Sequence, residues 1–239
     1  GLPNSGFCKA VTADPAPRTI AMNRSEPRVD IDPEVRAAVV TAGELLESLG
    51  HSVEEAAPSI NYDRLNEVQN TLIASSTTSW VNTVSRDRGY PIAPEELEPM
   101  THMIRREGAK VSGAEVSSAL QMMQQFGLEM AKFHNDFDLI LQPVAATPAP
   151  KLAAITYQEG DDLETYTKRF KAVSAFTHRY NMTGQPSIAV PFTTSRSGLP
   201  IGIMLSAAMG GDAALLGLAA QLERANPWHH RRPLIWSGT

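Results

Sequence analysis

The run Ser75-Ser76-Thr77-Thr78-Ser79 places five hydroxyls side by side, a natural first place to look for a nucleophile. A reactive serine, however, sits on a tight backbone turn whose N–H groups aim at the developing oxyanion. These five residues instead interrupt a helical pattern that contains no glycine, so a helix-surface role outweighs a catalytic one. Cys8, the single cysteine, lies in a leader rich in Gly, Pro and Ser with no histidine nearby, and reads as a surface thiol. Asp161, Asp162 and Glu164 could supply general acid or base, but their place at a helix start suits the positive end of the helix dipole better. His229-His230 is the one histidine pair, followed by Arg231-Arg232, and neighbouring residues diverge unless a loop turns them together. A solvated basic end is the stronger reading, so no metal site is expected. The phosphate loop GxxxxGK, the dinucleotide motif GxGxxG and the nucleophile elbow GxSxG do not occur in the sequence, and no cofactor is expected.

The elements that would position such groups follow from capping residues and hydrophobic spacing. Residues 1–17 carry three Pro and two Gly and predict an irregular lead-in to a domain over 18–239. A short strand is expected around Arg18–Met22. Asp32-Pro33 is an N-cap followed by a proline at the first helical position. Val35, Ala38, Val39, Ala42, Leu45, Leu46 and Leu49 then recur at helical intervals until Gly50. His51–Ala57 returns as a strand. Residues 62–135 predict a helical insert, broken near 88–94 by Gly89, Pro91 and Pro94, with Ser112 and Glu115 forming a capping box before a helix that runs to about His134. Asp138–Gln142 (DLILQ) is a buried strand that opens into the loop PVAATPAP. One helix is expected over 162–182. Ser187–Pro191 (SIAVP) and Ile201–Leu205 are read as strands joined by the turn Gly198-Leu199-Pro200. SIAVP, lacking alternation, predicts a central strand buried on both faces. A last helix runs from Asp212 to before Pro227. The fold class is α/β: a mixed sheet with helices on its faces and a helical insert.

Composition narrows the function classes. With 42% apolar and 20% charged residues the chain is ordinary globular material. A formal charge of -5 and scattered Lys and Arg give no basic stripe for a phosphate backbone, so no nucleic acid partner is expected. Apolar runs fall well short of the roughly 20 residues that span a bilayer. With one cysteine and no basic-then-apolar leader in the sequence, a cytoplasmic setting without membrane attachment is the expectation.

The order of several words is more specific than any one of them. FDLILQPVAATPAP, then FTHRYNMTGQPSIAVPF, GLPIGIMLS and DAALLGLAAQLERANPWHHRRP together resemble the C-terminal half of the amidase signature family. The earlier VDIDPEVRAAVVTAGELLESLGHSVEEAAP is similar to the helix and strand that open that half. The resemblance runs from about residue 18 to 235. It implies hydrolysis of carboxylic amides to acid and amine by a Ser nucleophile, a second Ser held by a cis peptide bond and a neutral Lys.

Those three groups belong to a Gly and Ser-rich region and an upstream Lys that precede everything matched. No GGSSGG-like stretch occurs, and Lys9, Lys110, Lys132, Lys151, Lys168 and Lys171 fall in no matching context. No catalytic residue is therefore assigned. The expectation is a C-terminal portion, inactive alone, whose partners are a small amide substrate and the missing N-terminal half, with homodimerisation through the uncovered surface. Open α/β sheets bind ligands beyond the carboxyl ends of their strands. On that rule Gln142, Pro143, Thr147, Asn181 and Gln185 are the candidate substrate-binding residues. Two rival readings stay open: a noncatalytic binding module on the same scaffold, and a hydrolase using Cys8 or Ser75 to Ser79.

Overall fold

Alternate side chains of a strand face opposite sides of its sheet, so a strand buried at every position has both faces covered. Leu139–Pro143 meets that condition at all five residues. The computed structural model that shows this describes residues 7–232; residues 1–6 of the expected lead-in and 233–239 of the expected 18–239 domain lie outside the described residues.

The first described element is a helical turn, α1 (Phe7–Ala10), inside the segment for which the sequence predicts irregular chain. It continues through β1 (Thr19–Met22), α2 (Pro33–Ser48) and β2 (Ser52–Glu55). Asp32 caps α2 by accepting the Glu34 N–H at 2.8 Å, and Gly50 ends it at a φ of 94°, open to glycine at no steric cost. The helical excursion comprises α3 (Tyr62–Asp87), a 3-10 turn over Pro94–Glu96, α4 (Pro99–Gly108) and α5 (Gly113–Phe133). The Ser112–Glu115 capping box is formed in both directions. Then come β3 (Leu139–Pro143), α6 (Leu163–Ser174), α7 (His178–Thr183), β4 (Ser187–Thr194), β5 (Pro200–Ala207) and α8 (Asp212–Ala225).

The five strands form one sheet in the order β2-β1-β3-β5-β4. β1 is parallel to β2 and to β3, with Ala21 opposite Glu54 and Ile140. β5 is antiparallel to β3 and to β4, so the sheet is mixed. α2 lies across β1, β2, β3, β4 and β5, and α8 packs on β4 and β5. Ile20, Val39, Leu46, Leu139, Leu141, Ile203, Leu205 and Leu218 are all within 1% of complete burial, which places the core between sheet and helices.

Two expectations are corrected. β4 is an edge strand, not a central one, and its burial alternates, with Val190 and Phe192 inward and Ser187, Ala189 and Pro191 exposed. Pro191 fits there because an edge strand can leave one ladder position without an N–H. A register irregularity between Pro191 and Thr193 frees the Phe192 carbonyl, which accepts from Asn226 Nδ2 at 2.9 Å and Arg231 Nη1 at 2.6 Å. The second correction concerns the helix over 162–182, which is broken into α6 and α7 around Ala175–Thr177.

α3 and α4 approach closely at Gly108. A Cβ there would lie 1.9 Å from the Ala74 carbonyl oxygen and 2.3 Å from Thr78 Oγ1. The same Thr78 hydroxyl donates to the Arg105 carbonyl at 2.9 Å across the two helices. Gly108→Ala is expected to lower stability by about 2–3 kcal/mol through overpacking. Gly127→Ala, in open space on α5, is expected to be neutral or stabilising by up to ~1 kcal/mol. Urea denaturation of the two variants measures the contrast.

Candidate functional site

Past the carboxyl ends of β1 and β3 the structure assembles a buried charge cluster. Asn23 continues the β1–β3 ladder by donating its N–H to the Leu141 carbonyl at 2.8 Å, and its side chain turns the chain by accepting from Ser25 N–H at 3.1 Å. That turn drives Glu26 inward, where its side chain has no solvent exposure. Glu26 Oε1 accepts from Arg28 Nε at 2.6 Å, and Glu26 Oε2 lies 3.6 Å from Arg179 Nη2. The Tyr62 ring lies beneath both guanidinium groups, 4.2 Å from Arg28 and 5.1 Å from Arg179.

The break between α6 and α7 supplies the acceptor that holds Arg28. In a continuous helix the Ala175 carbonyl would bond four residues onward. Here it accepts from Arg28 Nη2 at 3.0 Å and from His178 Nδ1 at 3.1 Å. Arg28 Nη1 donates to Asn66 Oδ1 and to His178 Nε2, each at 3.1 Å. Because a guanidinium only donates, His178 Nε2 must accept, so the ring is neutral with its proton on Nδ1. Burial, with the charges of Arg28 and Arg179, lowers the His178 pKa to about 4. Burial raises the Tyr62 phenol above its ordinary value, against the opposing pull of Arg179. Arg179 is completely buried, and none of its three guanidinium nitrogens has a hydrogen-bond partner.

Against this cluster lies a cavity of about 380 Å³, bounded by α3, α4, α6 and α7. Arg28 and His178 reach it from the buried side, and Ile73, Ile104, Phe170 and Val173 give it apolar wall. Asn181 is the one sequence-predicted site residue that lines it. Thr147 lines a separate cavity of about 390 Å³ beside the β4–β5 hairpin, walled by Val144, Pro148, Pro191 and Ile201. Gln142 is fully buried, accepting from Asn23 Nδ2 at 3.5 Å and donating to the Phe176 carbonyl at 3.3 Å. Pro143 is buried opposite Ile203, and Gln185 is buried with its oxygen accepting from Thr183 Oγ1 at 2.7 Å. The five candidates are thus distributed between two cavities and the core behind them.

The residues that looked chemically active in the sequence are placed otherwise. Ser75 and Ser76 donate to helix carbonyls three residues earlier in α3, and the Thr78 hydroxyl sits between the Ala74 and Arg105 carbonyls. Asp162 caps α6 by accepting from Thr165 N–H at 2.8 Å, and Asp161 pairs with Arg169. Cys8 is exposed, as are His229 and His230, whose rings meet edge to face. No group of three or more metal-ligating side chains occurs among the described residues. Glu26, Arg28, Tyr62 and Arg179 were not legible as a set. Their one signal is His178-Arg179, charged or polar positions on the same helical stretch as buried Phe176 and Tyr180.

A mixed five-stranded sheet, helices on its faces, a helical excursion and a crevice past the strand ends define an α/β scaffold of one known kind. The chain belongs to the Amidase family, whose family model matches residues 3–216. It is 28% identical over 250 residues to the 6-aminohexanoate-cyclic-dimer hydrolase of Paenarthrobacter ureafaciens, an alignment covering 98% of this chain and 51% of that protein. It is 29% identical over 236 residues to the putative amidase AmiB2 of Mycobacterium bovis, covering 98% and 49%. The solved structure of a 6-aminohexanoate cyclic dimer hydrolase complexed with substrate superposes with a TM-score of 0.87 at 26% identity, over 97% of this chain and 50% of that one. A bacterial aryl acylamidase of the amidase signature family shares the fold, with a TM-score of 0.76 at 20% identity, over 96% and 49%. The chain therefore spans about half the length of the relatives it matches.

The cluster makes two measurable demands. A histidine held at about 4, below its ordinary 6.5, takes up its proton more readily unfolded than folded. Its contribution is complete above pH 6.5 and is lost as pH falls through 4, up to ~3 kcal/mol in all. His178→Gln, followed by urea unfolding across pH 4–7, is expected to flatten that part of the stability profile. Glu26→Gln leaves two guanidinium groups without a carboxylate and is expected to cost about 3–5 kcal/mol by the same measurement.

Proposed function

We propose that this chain is the C-terminal part of an amidase that hydrolyses carboxylic amides to acid and amine. It supplies the sheet and one wall of the substrate pocket, while the Ser, the second Ser and the Lys of the reaction reside in an N-terminal half outside these 239 residues. The observation that carries the reading is the coverage: 98% of this chain aligns to only 51% of the 6-aminohexanoate-cyclic-dimer hydrolase. Lysine placement supports it. The chemistry the resemblance implies needs a buried, neutral Lys, whereas Lys9, Lys110, Lys132, Lys151 and Lys168 are exposed and Lys171 is half-buried.

In this reading the five residues expected to bind substrate act from different places: Asn181 and Thr147 each line one of the two cavities, and Gln142, Pro143 and Gln185 shape the wall from the core behind them. The surface that meets the other half is uncovered in this chain alone, so self-association competes with pairing. No helix among the described residues is long and apolar enough to cross a membrane. A cytoplasmic setting belongs to the same reading, on the use of a single cysteine.

The purified chain is expected to give no turnover of small aliphatic or aryl amides, and coexpression with the upstream half is expected to restore it and to yield a one-to-one complex by light scattering. Efficient hydrolysis by the chain alone would place the nucleophile within it and overturn the proposal.

A further inference from the structure

The chemistry of the 380 Å³ cavity is one-sided. Its volume is within the range of small-molecule sites. Among the described residues no carboxylate lines it, whereas two cations, Arg28 and Lys171, do. Arg28 is neutralised by Glu26 at 2.6 Å. Arg179, buried behind it, lies 3.6 Å from the same carboxylate and has no hydrogen bond, so Glu26 is shared between two guanidinium groups. Lys171 is half-buried at the cavity wall, with no ion pair or hydrogen bond to the described residues. Three cations therefore act on this space against one carboxylate. In surroundings walled by Ile73, Ile104 and Phe170, that excess is only partly screened.

Asn70 and Asn181 also line the cavity; both are exposed, and their N–H₂ groups can donate to an anion while the charge preference is left to the cations. An apolar wall and an excess of positive charge suit a ligand with an apolar stem and a carboxylate end. It rejects a ligand with an ammonium end, which would find cations and no counter-charge.

We infer that this cavity binds the carboxylate-bearing end of an amide substrate or of its acid product, with Lys171 as the residue that sets the charge preference. The inference rests on the amidase reading for the word substrate, while the binding preference stands on the cavity itself.

Three probes of matched length separate the charge states: adipamate with a terminal carboxylate, hexanamide with none, and 6-aminohexanamide with an ammonium. Titration calorimetry on the chain, alone and in complex with its upstream half, is expected to rank adipamate about tenfold tighter than hexanamide, the size of one charge-assisted pair. 6-Aminohexanamide is expected to bind weakest. Lys171→Gln is expected to erase the difference between adipamate and hexanamide while leaving hexanamide affinity unchanged. Ile104→Trp, which fills the cavity, is expected to abolish binding of all three. Equal affinities, a preference for the ammonium probe, or no binding by a cooperatively folded wild-type chain and complex would overturn the inference. The two ideas fail separately. Adipamate binding in a complex that cleaves no amide sinks the amidase reading alone, and amide cleavage without charge preference sinks this one alone.

Discussion

A single carboxylate with no access to water, Glu26, holds together parts of the molecule that share no strand or helix. It anchors Arg28 and lies within reach of Arg179, and through them it joins the turn after β1, the first turns of α3 and the junction of α6 with α7. Burying an ion is costly unless its partners are well placed. The cost is contained here because Arg28 has an acceptor on every side: Glu26, Asn66, His178 and the Ala175 carbonyl. The helix break that looks like a defect in α6–α7 is one of those acceptors. Removing the break would return the Ala175 carbonyl to a helical bond and leave Arg28 short of a partner.

The same arrangement explains why the 380 Å³ cavity lies where it does. The sheet changes from parallel to antiparallel at β3, with β1 on one side and β5 on the other. The parallel strands β1, β2 and β3 send their carboxyl ends in one direction, and the charge cluster and cavity lie past the ends of β1 and β3. The loop after β3 is pinned by two short bonds, Asp32 N–H to the Ala146 carbonyl at 2.8 Å and Ala146 N–H to the Ala172 carbonyl at 2.7 Å. These fix the α2 start and α6 relative to the strand ends, so the wall formed by α6 is tied to the sheet by backbone rather than by side chains alone.

What could be read from the sequence was whatever is decided locally. The Asp32-Pro33 helix start, the Ser112–Glu115 box, the Gly50 stop and the all-apolar β3 each depend on residues within a few positions of one another. SIAVP misled because Ala189 and Pro191 are apolar and yet exposed, which hides the inward pattern of Val190 and Phe192. The split between α6 and α7 could not be seen, since the acceptor it frees is used by Arg28, 147 residues away. The candidate site divided along the same line. Asn181 and Thr147 follow from the strand-end rule, whereas the Glu26 cluster joins positions as far apart as Glu26 and Arg179 and has no local signature.

The strand order also sets a schedule for assembly. β1 pairs with β2 across a span of 33 residues, from Ile20 to Val53, but its other edge waits for Leu139, 119 residues onward. During synthesis from the N-terminus that edge stays unpaired while the whole helical excursion emerges, and long-range closure of this kind is slow. α3, α4 and α5 can form meanwhile from local contacts, but the buried carboxylate at residue 26 cannot meet its second guanidinium until residue 179 has been made. The ionic centre of the molecule therefore closes only once α7 has been made, and the half-sheet of β1 and β2 stays open while residues 56–138 emerge.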